Sequence, residues 1–196
     1  MPARVVATTL AVAVLLTAAC GQARAGNTQT LYTVTTGLMQ KPGDVPRACS
    51  FVPLPLPPIG CGGVPISGLD LHSLPDAQTY RNGVVSAGTH RLVGTWEAGA
   101  LHLTQPPVPA SPTSVTPLPS CGQTAGDTEG PDALPQGRKL MDEEQMILQH
   151  GIVMLGFGVC QGVLFVEVAV ADKDTVDYLT SRYAPVKVGG WLQPLV

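Results

Sequence analysis

The stretch from Gln105 to Gly137 holds eight prolines and few large apolar residues. Proline fixes φ and removes a backbone donor, so such a run cannot continue a helix or join a central strand. It has to be a linker, or a loop lying on the surface, spanning residues 105–137. Cys121 within it implies that the segment is pinned somewhere. The chain is thereby divided into a part before Gln105 and a part after Gly137, and each carries its own pattern.

The first part reads as strands. Thr30 to Met39, "TLYTVTTGLM", is rich in β-branched residues and alternates well enough for a first strand. "CSFVPLPLPPIGC", Cys49 to Cys61, has four prolines between two cysteines and reads as an extended loop stapled at both ends. A polyproline ligand is the sharper alternative, but no basic flank accompanies it. Gly62 to Leu71 forms a short strand and turn. Thr89 to Pro107 carries a hairpin around Glu97-Ala98-Gly99-Ala100, where Gly99 can take positive φ. Four or five short strands over residues 31–104 predict a small antiparallel barrel or sandwich.

The second part, residues 138–196, alternates helix and strand. "KLMDEEQMILQHG" places Leu140, Met141, Ile147 and Leu148 on a helix with acids in its first turns and Gly151 past its end. Leu164, Val166, Val168 and Val170 share one face of a following strand, which should meet helices. Val176, Leu179 and Tyr183 share a second helix, capped by Asp172 or Asp174 and stopped by Pro185. "VKVGGWLQPL" reads as a final strand. The order α-β-β-α-β predicts a half-ferredoxin-like layer, so the whole is α+β. Low charge, 13% of residues, and frequent Gly and Pro agree with a β-rich, loop-rich chain.

Residues 1–19 read as an export signal: Arg4, then a run from Val5 to Ala19 broken only by threonines. About fifteen residues is signal-length, short of the twenty or so that span a bilayer. Two cuts are available. Ala18-Ala19-Cys20-Gly21 has the small residues of a lipoprotein site, which would leave Cys20 to carry lipid; Ala23-Arg24-Ala25 is an A-x-A site that would release the chain from Gly26. The small, polar residues 20–30 suit a tether, which favours lipidation and a place on the outer face of the cell membrane.

Four cysteines follow in either case: Cys49, Cys61, Cys121 and Cys160. An even number in an exported chain reads as two disulfides with three connectivities. Cys49–Cys61 with Cys121–Cys160 is favoured, since the first closes a short loop and the second pins the linker to a sheet.

Few chemistries remain. The formal charge of −3 becomes more negative once Arg4 leaves, which argues against nucleic acid. "GFGVCQG" has its third glycine one residue late and precedes a strand, so no dinucleotide cofactor is implied. No C-x-x-C, H-x-x-x-H or H-E-x-x-H spacing supports a metal, and no G-x-S-x-G or S-x-x-K supports a nucleophile. The run Asp142-Glu143-Glu144 reads as a solvated helix start. The expectation is a non-catalytic chain without cofactor. His90 and His102 flank the hairpin and can approach across it, although two solvated strand-end histidines are the plainer reading. Trp191 reads as core, whereas Trp96 at the hairpin lip serves equally as core or as a binding anchor. Trp96, His90 and His102 make the candidate recognition surface.

Gly94, Thr95, Trp96 and Glu97, the trailing Thr104, Pro106 and Pro107, and Cys49 with Cys61 resemble the stapled β-module of an uncharacterised family of actinobacterial secreted lipoproteins. In that family a G-T-[WY]-[DE]-G hairpin and a T-x-P-P run precede a low-complexity linker and a C-terminal α/β segment. Here the glycine is displaced to Gly99. The resemblance covers residues 49–107 and implies an envelope location without an activity. The resulting expectation is a lipid-anchored extracytoplasmic accessory or binding protein with an envelope protein or glycan partner. An exported regulator or inhibitor docking through the C-terminal layer is the alternative, and an exported hydrolase comes third.

Overall fold

Residues 29–51, 58–119, 133–160 and 162–195 are described in the computed structural model. The threonine- and valine-rich start becomes β1 (Leu31–Gln40), with Val34, Thr36 and Leu38 buried on one face. It is followed by β2 (Arg47–Phe51), β3 (Gly62–Ser67), β4 (Gln78–Thr79), β5 (Val85–Glu97), β6 (Ala100–Leu103) and β7 (Val108–Pro109). Pairing runs β1-β2-β3-β6-β5 and returns to β1, closing a five-stranded barrel. The long β5 faces β1 along one side, while its other side takes β4, β7 and β6 in turn.

Two features differ from the expectation. The barrel is not wholly antiparallel: β3 and β6 run parallel, with Ile66 opposite Leu101. Five strands thus close a barrel with one parallel pairing, and a fold alone assigns no ligand. Cys49 also lies within a strand, since β2 begins at Arg47 before the prolines take over. At Gly63 an added Cβ would lie 1.9 Å from the Ala48 carbonyl oxygen, so only glycine lets β2 and β3 come together there. The Cys49–Cys61 disulfide is present, with a Cα–Cα distance of 5.5 Å. The other expected pair includes Cys121, which lies outside the described residues, as does Cys20.

The barrel core gathers Val34, Leu38, Val64, Ile66, Leu92 and Leu101. A single 3-10 turn, Leu71–Ser73, plugs it with Leu71, and Asp70 caps that turn by accepting from the His72 amide at 3.0 Å. The β5–β6 connection has two residues, Ala98 (φ 49°) and Gly99 (φ 77°). Both lie in the left-handed region, as a type I′ hairpin demands.

Beyond the barrel come α1 (Ala133–Asp142), α2 (Glu144–Gln149), β8 (Met154–Cys160), β9 (Val163–Val168), α3 (Lys173–Tyr183), β10 (Val186–Gly190) and β11 (Gln193–Pro194). α1 starts inside the segment read as linker, because Pro135 sits in its first turn, where a missing N–H leaves no bond unmade. β8 and β9 form an antiparallel pair, and β10 joins β9 in parallel after the α3 crossover. Leu164, Val166 and Val168 pack against Leu140, Ile147, Leu179 and Tyr183 of the helices, as their shared face predicts. Met141 and Leu148, placed on the same helix by sequence, stay exposed. Asp172 caps α3 by accepting from the Thr175 amide at 2.8 Å. Glu143 joins α2 to α3, accepting from Arg182 Nε and from the Tyr183 hydroxyl, each at 2.7 Å.

The expected last strand is divided. β10 stays with the small sheet, Trp191 and Leu192 enter the barrel core, and β11 pairs with β1 at Tyr32–Pro194. Trp191, 1% exposed, donates its indole N–H to the Thr116 carbonyl at 3.1 Å. Thr116 in turn donates its amide to Thr35 O at 2.7 Å and accepts from Thr35 N through its hydroxyl at 2.8 Å. Residues 105–119 therefore run along the barrel as a strap, and the chain's end is folded beneath them. No helix among the described residues is long and apolar enough to cross a membrane.

Candidate functional site

The tight β5–β6 turn carries Trp96 and Glu97 to the end of the barrel nearest the C-terminal layer. A Cβ on Gly99 would stand 3.5 Å from Val153, just ahead of β8, so the turn rests close to that layer. Facing it are the end of α2, where Gly151 adopts φ 76° and lets the chain reverse after His150, and the start of α3. A cavity of about 390 Å³ lies between them, lined by Trp96, Glu97, His150, Asp172, Asp174 and Tyr178, among others. That size admits a small ligand or the terminal group of a larger one.

Its walls are of two kinds. Trp96 is half-buried, packed on the barrel core and also facing the cavity. On the opposite side the His150 and Tyr178 rings lie 4.3 Å apart, tilted by 41°. The Tyr178 hydroxyl is closed to solvent with no hydrogen-bond partner among the described residues. The polar wall holds three carboxylates, Glu97, Asp172 and Asp174, and among the described lining residues there is no lysine or arginine. Lys173, between the two aspartates, is turned to an exposed pair with Asp177. The field extends into the barrel wall: burial, and secondarily the Asp172 charge, push the Tyr32 hydroxyl above its ordinary range. No group of three His, Cys, Asp or Glu among the described residues converges closely enough to hold a metal ion.

Of the residues singled out by sequence, Trp96 lies in this cavity and the two histidines do not join it. His90 is 0% exposed and belongs to the interior. Its Nδ1 lies 3.1 Å from Gly88 O and its Nε2 3.5 Å from an Asp76 carboxylate, whose other oxygen accepts the Gly88 amide at 2.9 Å. That corrects the reading of His90 as a solvated strand-end residue on a recognition surface. His102 stands opposite Thr95, five residues along β5 from His90, or about 17 Å at strand rise. Its Nε2 lies 3.3 Å from Glu97 O, so it stiffens the hairpin behind Trp96. The histidine that does reach the cavity is His150, which sequence marks only as a helix end. No spacing rule connects it to Trp96; the packing of the two parts does.

A second, more open groove of about 440 Å³ follows Leu69 and Leu74 and the Thr104-Gln105-Pro106-Pro107 run. No protein-family model, curated protein or solved structure matches this chain.

Proposed function

We propose that this chain is a lipid-anchored, extracytoplasmic binding protein of the cell envelope, non-catalytic, held through Cys20 and seating its ligand beside Trp96. The export signal of residues 1–19, the polar tether and the resemblance to secreted lipoproteins support the location. The cavity carries the binding reading. It is a concave seat of small-ligand size in which the aromatic side chains of Trp96 and Tyr178 stand beside charged and polar groups that can orient a guest. Amide shift mapping against soluble envelope glycans and small amines tests it. Trp96, Gly99, Gly151 and Tyr178 are expected to shift together with one class of probe. A cavity unresponsive to both classes contradicts the reading.

A second reading, docking on another protein through the C-terminal layer, has one observation in its favour. Phe157 on β8, an edge strand of that sheet, is 43% exposed. That reading takes the layer as half-ferredoxin-like, a hairpin followed by a helical crossover. Shifts confined to β8, with none at Trp96, would favour it.

A further inference from the structure

We propose that the group seated beside Trp96 is an organic ammonium cation, the positively charged end of an envelope component. This rests on the binding reading above and narrows it to one ligand chemistry. Three carboxylates, from Glu97, Asp172 and Asp174, line one cavity without a lysine or arginine among the described lining residues. Ionised carboxylates are negative and only accept hydrogen bonds, so a positively charged guest complements them. The aromatic side chains act in the same sense. An indole is the best of the neutral π-surfaces for a cation, and Tyr178, in ring contact with His150, lines the same cavity.

An anion is disfavoured in the same place. The start of α3 would ordinarily attract one, but Asp172 already accepts the Thr175 amide there and brings its own negative charge. A neutral sugar could use the aromatic walls. It would bring no charge to complement the three carboxylates, which sets it behind a cation.

The test is a choline titration followed by tryptophan emission, with neutral chitotriose as the comparison. The chain holds two tryptophans, and Trp191 is sealed in the core, so a ligand-induced change reports on Trp96. Glu97→Gln and Asp174→Asn remove charge while leaving the Asp172 cap intact, and far-UV circular dichroism checks that both variants fold. Choline should bind saturably, each variant should weaken it about five- to tenfold, and added salt should weaken it further. Choline binding that ignores both substitutions overturns the cation assignment, as does no choline binding at all. Chitotriose binding without choline binding overturns the cation while sparing the cavity as a ligand seat. Silence from both probes, joined to silent shift mapping, removes the seat as well.

Discussion

Replacing Trp191 with Phe tests how the end of the chain is held. The indole is 1% exposed within the barrel cluster, and its N–H is given to the Thr116 carbonyl at 3.1 Å. Phe keeps an aromatic ring but vacates the volume of the second one, and the carbonyl loses its donor. An orphaned acceptor costs about 1–3 kcal/mol when buried, and the lower end applies because Thr116 is partly exposed. Full truncation of a large aromatic costs about 3–5 kcal/mol, of which a partial truncation forfeits a fraction. Together these give about 2–3 kcal/mol. Urea unfolding monitored by circular dichroism should show the midpoint falling by about 1–2 M at a typical slope for a domain of this size. A loss under about 0.5 kcal/mol, the range of ordinary surface substitutions, would refute the placement of Trp191 in the barrel.

Three further outcomes follow from separate features. Ala98 sits at φ 49° in a turn that favours Asn-Gly, so Ala98→Asn should raise stability by about 0.5–1 kcal/mol in the same urea assay. Removing the Cys49–Cys61 bond by replacing both cysteines with serine frees a loop with a sequence separation of 12, and should lower stability by about 2–4 kcal/mol at equilibrium. Hydrogen bonds from Arg182, then from Tyr183, hold the Glu143 carboxyl below its ordinary value of 4.5. Its contribution is therefore complete above that value and is lost as pH falls through the lowered folded value. The urea midpoint of Glu143→Gln should accordingly fall less than that of the parent between pH 5 and pH 3; identical profiles would contradict the assignment.

What could be read from the sequence was what neighbouring residues decide. The β1 alternation, the Gly99 turn, the Asp172 cap and the Leu164-Val166-Val168 face each follow from spacing within a few positions. The Cys49–Cys61 staple was legible because its loop is short. What escaped depends on distant partners. Parallel pairing of Ile66 with Leu101 is set by barrel closure, and no local pattern announces it. Prolines hid the beginning of α1, since their effect reverses between the first turn of a helix and its interior. The run from Val186 to Leu195 read as one last strand, whereas burying the indole in the barrel draws the chain out of one sheet and into another. The cavity was half visible: Trp96 stood out at its hairpin lip, but His150, Asp172 and Asp174 had full local explanations as helix ends and gave no sign of facing it.

Whether the chain works at a membrane at all is settled by the intact mass of the mature protein from its native host. A chain that begins at Cys20 and carries a diacylglycerol-sized increment is the predicted result. An unmodified chain beginning at Gly26 would contradict it and leave a freely secreted protein.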